Sequence, residues 1–354
     1  MQGIGGAGGS DSMAGGTGKL PDVPCDLHTN YPGDENCIEP PDPALGVQLH
    51  IGPTDYDDPD VVAEKDANGN YLWLVMPGGE SNDCYHAVLP NDESFYYFQT
   101  QYRMRTGSHH MILRSSNSMD LNQGWGKCDG TIINAIGGTQ HVVEDFPPNG
   151  EVAPEDEGLG HQMTPHAIID AQLHFFNTGD APKLREVWVN YIYKPADEVT
   201  MNLGMLGALT AMNVPPHSTA TINGACKAEQ AIGAGMSPRI VSLFGHAHVH
   251  NKRFVVNHVS ADGTSEVVYD SYDGAEAPTY VYNSLVQLPI ANPTSRVSGG
   301  RSGLLVLNPG ESLTFSCDVV NDTDNTFVGL NEVNTDEMCH LFGSIAGLGF
   351  PCFL

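Results

Sequence analysis

The stretch Arg239–Val256, RIVSLFGHAHVHNKRFVV, is an apolar run suited to a β-strand, and it carries His246, His248 and His250. In an extended chain alternate side chains share a face. Val241, Leu243, Ala247 and Val249 then point one way, while Phe244 and the three histidines point the other. Neighbours two apart stand about 6.5 to 7 Å from each other along a strand, within reach of one metal ion, whereas His246 and His250 are about 13 Å apart. The run therefore offers a pair of metal ligands and not a triad. A half-exposed strand with polar histidines would carry the same letters, so further ligands have to be sought elsewhere in the chain.

With 354 residues there is room for two domains, each with its own core. Forty glycines, 24 prolines and repeated Asn-Gly and Asp-Gly pairs fit many short strands better than long helices, and an all-β chain is expected. A formal charge of -28, from 43 acidic and 15 basic residues, argues against a nucleic-acid partner, because phosphate binding needs clustered Lys and Arg. No apolar stretch approaches the roughly 20 residues of a membrane span. Eight cysteines with no C-x-x-C spacing point to structural disulfides in an oxidising compartment, hence to a secreted, periplasmic or surface-anchored protein. Residues 1–19, rich in Gly and Ser, look like a flexible tether standing in the place of a secretion signal or lipid anchor.

Taken in order, residues 20–43 are rich in Pro and Asp and promise little regular structure. Strands are predicted over 47–51, 71–76 with a turn at Asn68-Gly69, 95–104, 168–176 and 187–194, and after residue 199 over 219–226, 266–272, 304–307 and 312–319. His109 and His110 are adjacent, so on a regular strand they face opposite ways. Both reach one metal only if the backbone bulges or turns, which Gly107 permits. On the 168–176 strand Asp170, Gln172, His174 and Phe176 share a face, and His174 is a candidate third imidazole for a three-nitrogen site suited to copper or zinc. Met338, in Asp336-Glu337-Met338-Cys339, is ordinary core filler by composition. Beside two imidazoles its thioether would select a soft ion such as Cu(I). Asn321-Asp322-Thr323 is a glycosylation sequon by letter only, and no P-loop or His-Glu-x-x-His is present.

These motifs together, His-His-Met-Ile-Leu at 109–113, Gln-Leu-His at 172–174, His-Ala-His at 246–248 and Asp-Glu-Met-Cys at 336–339, resemble the copper type II, ascorbate-dependent monooxygenases. That family includes peptidylglycine α-hydroxylating monooxygenase and dopamine β-monooxygenase, and the likeness runs from about residue 45 to 354. It implies two jelly-roll-type β-sandwich domains, 45–198 and 199–354, behind a 1–44 tether, with a copper site in each facing across a solvent-filled cleft. His109, His110 and His174 would hold the copper that stores an electron. His246, His248 and Met338 would hold the copper beside which O2 and substrate meet. The family's cysteine positions imply Cys84–Cys128, Cys226–Cys352 and Cys317–Cys339, leaving Cys25 with Cys37 as a local addition. Where the peptidylglycine enzyme has a further cysteine shortly after the His-His pair, this chain has Ser116.

The resemblance implies a monooxygenase with two copper ions per chain that hydroxylates a C–H bond of a small organic substrate, with O2 and ascorbate or a similar electron donor. Two other classes share these letters: a secreted copper-binding or copper-sequestering protein without turnover, and a structural β-sandwich module. At the positions where the peptidylglycine enzyme holds its substrate's carboxylate with Arg, Asn and Tyr, this chain has Phe244, His340 and Phe342. With Gln172 these are the candidate pocket residues. A desolvated carboxylate needs a cation or several donors, which an apolar wall lacks, so a neutral or cationic substrate is expected.

Overall fold

The alternation that marks the strands also sorts their side chains into cores. In Ile168–Phe176 the residues Ile169, Ala171 and Leu173 are wholly buried, while Asp170, Gln172 and His174 lie on the opposite face. A computed structural model describes residues 25, 27–116, 123–128, 134–139, 143–146, 158–232, 237–272, 280–281, 305–329, 336–346 and 351–353. Among them the chain is an all-β sandwich with only short helical turns. No helix among them is long and apolar enough to cross a membrane.

In the first half, a five-stranded sheet has Ile168–Phe176 at its centre, hydrogen-bonded to Glu80–Val88 on one side and Ser108–Ser116 on the other. Its inner face packs on a sheet containing Gly46–Ile51, Val187–Lys194 and Phe95–Met104. Together they bury a core that includes Leu49, Tyr97, Met104, Met111, Leu113, Leu173, Val189 and Tyr191. In the second half Met201–Leu209, His340–Ala346 and Arg239–His246 form one layer. Ser218–Lys227, Ser312–Asn321, Asn251–Val259 and Ser265–Ser271 form the other. Between these layers lie Leu206, Leu243, Phe254, Val256, Phe315, Val319, Leu341 and Ile345.

The two halves meet through the sheets themselves. Leu159 and Gly160 pair in parallel with Met201 and Asn202, which joins layers from both halves into an eleven-stranded sheet among the described residues. A small core of Phe98, Leu159, Leu203, Val241 and Ala346 packs at this seam.

Disulfides Cys25–Cys37, Cys84–Cys128 and Cys317–Cys339 are formed. Cys226 is also disulfide-bonded, and the side chain of its expected partner Cys352 lies outside the described residues, as do residues 1–24 of the tether. The acidic segment before residue 43 is more ordered than its composition suggests. Arg105, fully buried, donates to Asp34 at 2.7 Å and Glu186 at 2.5 Å, and Cys37 and Ile38 pack on Trp188. The sequon is structural: the Asn321 amide is 1% exposed and donates to the Val214, Pro215 and Asn325 carbonyls.

Two sequence readings need correction. The strand expected over 71–76 shrinks to Leu74–Val75, because Tyr71 is spent on a bridge to Lys65 around the Gly69 turn. The 239–256 run is not one strand. It breaks after His246, turns with the Asn251 amide donating to the His248 carbonyl at 3.2 Å, and resumes as Asn251–Val259 in the opposite layer. Val249 therefore does not join Leu243 in the core; it is 45% exposed.

Candidate metal centre

The register between Ile168–Phe176 and Ser108–Ser116 pairs His174 with His110 and then Phe175 with Ser108, which leaves His109 as the extra residue of a β-bulge. The bulge turns two adjacent side chains toward one point. Gly107 makes it possible: its φ is +100, and an added Cβ would lie 2.8 Å from the Lys183 side chain and 3.1 Å from the Phe176 carbonyl. Ring centres of His109, His110 and His174 are then 4.9 to 5.1 Å apart. One nitrogen of each can be chosen so that all three lie within 4.8 Å of one another. All three residues are buried, yet His109 Nε2, both nitrogens of His110 and His174 Nδ1 have no hydrogen-bond partner. Buried polar atoms are rarely left so, and orphaned imidazole nitrogens converging on one point suit a metal ion. The other nitrogen of His174 meets Glu80 Oε1 at 2.7 Å, a carboxylate contact of the kind that fixes ring orientation at metal-binding histidines.

The second set is assembled by the turn after His246. Gly245 lets this strand lie flush on the Phe254 ring, where a Cβ would sit 2.6 Å from the ring. His246 ends the strand opposite His340, and His248 follows in the turn with its ring centre 5.7 Å from that of His246. Glu337 Oε1 accepts both from the His248 backbone N–H and from the Met338 N–H, the latter at 2.8 Å. His248 Nδ1 lies 3.0 Å from the Asp336 carbonyl, so Nε2 is the ring nitrogen that this contact leaves available. The segment bearing Met338 is thus clamped onto the turn bearing His248, and Cys317–Cys339 holds it from the other side. Met338 itself is partly buried.

The two sets do not face each other across solvent. His110 and His246 have ring centres 5.0 Å apart, His109 and His248 are at 6.4 Å, and each of these residues is at most 5% exposed. In place of the solvent-filled cleft that the resemblance implies, five imidazoles lie in one buried cluster where the histidine-bearing strand ends of the two halves meet.

Of the other candidates, Phe244 and Phe342 pair across the sheet with rings 5.7 Å apart, and Phe342 also lies 5.8 Å from His246. His340 stacks near His246 at 6.3 Å with the Thr210 N–H directed at its Nδ1, 3.2 Å away. Gln172 sits apart from this wall, on the first-half sheet, donating to Asn82 at 3.0 Å and accepting from Arg114. His250 turns away to Asp322 at 3.2 Å and packs 4.7 Å from Phe327. Replacing His250 by Ala should leave copper stoichiometry unchanged, and loss of a metal ion on equilibrium dialysis would contradict this. Sequence reading missed Glu80, Glu337 and the Asp336 carbonyl. Glu80 lies 94 residues from its partner and has no local signature, whereas Asp336 and Glu337 stand inside a quoted motif whose carboxylate and carbonyl roles only the turn reveals.

Burial keeps the imidazoles neutral, the form that binds metal. Desolvation is the leading cause throughout: His109 is pushed down to about 3, His174 and His340 to about 4, and His110 and His246 well below the usual histidine range. Neighbouring rings add to each shift. Desolvation acts oppositely on the Glu337 carboxyl, raising it to about 7. In metal-free protein the unfolded chain protonates these histidines below about pH 6.5, while the folded chain resists to lower pH, His174 and His340 to about 4 and His109 to about 3. Their contribution to stability is complete above 6.5 and is lost as the pH falls through the folded values. Glu337 alone works the other way, its contribution fading as the pH rises from 4.5 to about 7. The several buried rings outweigh one carboxyl, so urea unfolding of the metal-free protein should show lower stability at pH 5 than at pH 7. Equal or greater stability at pH 5 would contradict the neutral cluster.

No family model matches the chain, and no curated protein matches it. Among solved structures, the crystal structure of the STIV MCP is similar at 9% identity and a TM-score of 0.25, covering 70% of this chain and 94% of that one. A structure of infectious bursal disease virus, Gx strain, is similar at 12% identity and a TM-score of 0.20, covering 89% and 72%. Scores this low bear on neither fold detail nor function.

Proposed function

We propose that the chain is a secreted or surface-held copper monooxygenase, hydroxylating a C–H bond of a small organic molecule with O2 and a one-electron donor such as ascorbate. The observation that carries this reading is the convergence of the buried, partnerless nitrogens of His109, His110 and His174 on one point, with the buried rings of His246 and His248 packed against them. Three imidazoles tolerate both copper oxidation states, and two imidazoles with a thioether favour Cu(I), so copper held there supplies one-electron redox chemistry and reduction of O2.

The residues around the ligands have separable tasks. Glu80 orients His174, while Glu337 and the Asp336 carbonyl fix His248 and the approach of Met338. Phe244 and Phe342 present an apolar wall beside His246. Aromatic rings bind flat or aliphatic bodies and exclude water, and they give a carboxylate nothing to pair with. The charge of -28 also repels anions at long range. The substrate is therefore neutral or cationic, with an aromatic or aliphatic body. O2 uptake by copper-loaded protein with ascorbate should rise with an aromatic amine and not with a hippurate-like acid or a glycine-extended peptide. The reverse order would reject this pocket.

The burial of all five rings favours one competing reading, a copper-binding protein that keeps its metal without turnover. Two bound coppers with no substrate-dependent O2 uptake across a broad panel of amines and neutral aromatics would establish it in place of the enzyme.

A further inference from the structure

We infer that a groove beside the five-stranded sheet of the first half binds an extended basic peptide, one in which Lys or Arg alternates with apolar residues. The inference goes beyond the copper reading and does not depend on it. The groove encloses about 1680 Å³, whereas a site for one small molecule holds about 300 to 1,000 Å³. Its size suits a segment of chain. Trp73, Tyr85 and Trp125 make it aromatic on one side, with ring centres 5.2 to 5.8 Å apart, and Tyr85 and Trp125 are partly exposed. Asn325 and Thr326 also line it, so both halves of the chain contribute.

The rim is a short hairpin held by its own hydrogen bonds. The Asp66 N–H donates to the Asn70 carbonyl at 2.9 Å and the Leu72 N–H to the Glu64 carbonyl at 2.8 Å, while Asp66 Oδ1 accepts from the Asn68 and Asn70 N–H groups. This hairpin presents Glu64, which is exposed, at the groove. Burial first, and the Glu64 carboxylate second, hold the Tyr85 phenol above its usual range, so Glu64 lies within electrostatic reach of the aromatic side.

Charge selects the occupant. Four carboxylates, Glu64, Asp66, Glu80 and Asp83, line the groove against two cations, Lys127 and Arg185. Arg185 is already committed: it donates to Asp83 at 2.6 Å and to the Leu72 and Tyr71 carbonyls, and it is 5% exposed. Its guanidinium lies 3.6 Å from the Trp125 ring centre, so this aromatic cluster already accepts one cation. A bound Lys or Arg repeats that contact at Tyr85, its aliphatic stem on the ring and its charge toward Glu64. The chain's net charge of -28 draws such a ligand from a distance and repels anions. Gly124–Gly126, which bears Trp125, is the outermost strand of its sheet among the described residues, and a Cβ added at Gly124 would meet no described atom within 4 Å. An extended segment can lie along such an edge and direct alternate side chains to the groove.

The test is a titration of the full chain with a short peptide alternating Lys and Leu, with a chelator present so that copper plays no part. Two of the chain's three tryptophans line the groove, so binding should change tryptophan emission, and Trp125→Phe should remove much of that change. Three variants, each raising the net charge by one, separate seating in the groove from general attraction to an acidic protein. Glu64→Gln and Asn325→Lys alter the groove, and Asp262→Asn alters an exposed turn outside it. The two groove variants should each weaken binding about threefold, the effect of one partly exposed charge pair, and Asp262→Asn should weaken it much less. Equal affinity in all three variants, no change in tryptophan emission, or tighter binding of a Glu-Leu peptide or a neutral oligosaccharide would overturn the proposal. None of these results bears on copper binding, so the two readings fail separately.

Discussion

Met338→Ile is expected to abolish turnover while the copper of His109, His110 and His174 stays bound. Ile keeps an apolar side chain of similar bulk and removes the sulfur, so the fold should tolerate it better than the chemistry does. Cu(I) affinity at the second site should fall by at least tenfold, since a soft thioether is exchanged for no ligand at all. The Glu337 clamp uses backbone N–H groups and survives the change, which keeps His248 in place. Competition with a chromophoric Cu(I) chelator, run beside O2 uptake, reads both effects. Unchanged Cu(I) affinity with full activity would show that Met338 is core filler.

The second large effect is expected from breaking Cys317–Cys339. These residues are 22 apart in sequence and both are fully buried, with Cys317 in the centre of the outer layer. A closed loop of that length is worth roughly 3 kcal/mol on chain-entropy grounds. The bond also anchors the residue next to Met338, so its loss should loosen the ligand as well as the fold. A Cys317→Ala, Cys339→Ala double variant should unfold at clearly lower urea concentration and bind Cu(I) more weakly at the second site. Lost stability with unchanged Cu(I) binding would limit the disulfide to a structural role.

Much of this arrangement is legible in the sequence, for identifiable reasons. The alternation over 168–176 places His174 opposite the core, and the structure keeps that face. The adjacency of His109 and His110 demands a bulge for both to serve one ion, and the register shift supplies it. By contrast, the 239–256 run carries no Gly or Pro at the point where it turns, between residues 247 and 250. The turn is accompanied by contacts from Asp336 and Glu337, which lie 88 and 89 residues away from His248. No local pattern encodes such contacts. The same holds for Glu80 beside His174, and for the closeness of His110 to His246, which depends on how strand ends of two halves meet at a seam of a few pairs.

In the proposed reading, one buried cluster built from both halves holds copper at two chemically unequal positions. Copper per chain, measured by metal analysis after loading and desalting, tests it most directly when the wild type is compared with His174→Ala and His248→Ala. Two ions are expected in the wild type, and loss of copper in both variants. Full occupancy in either variant, or no copper retained by the wild type, would contradict it.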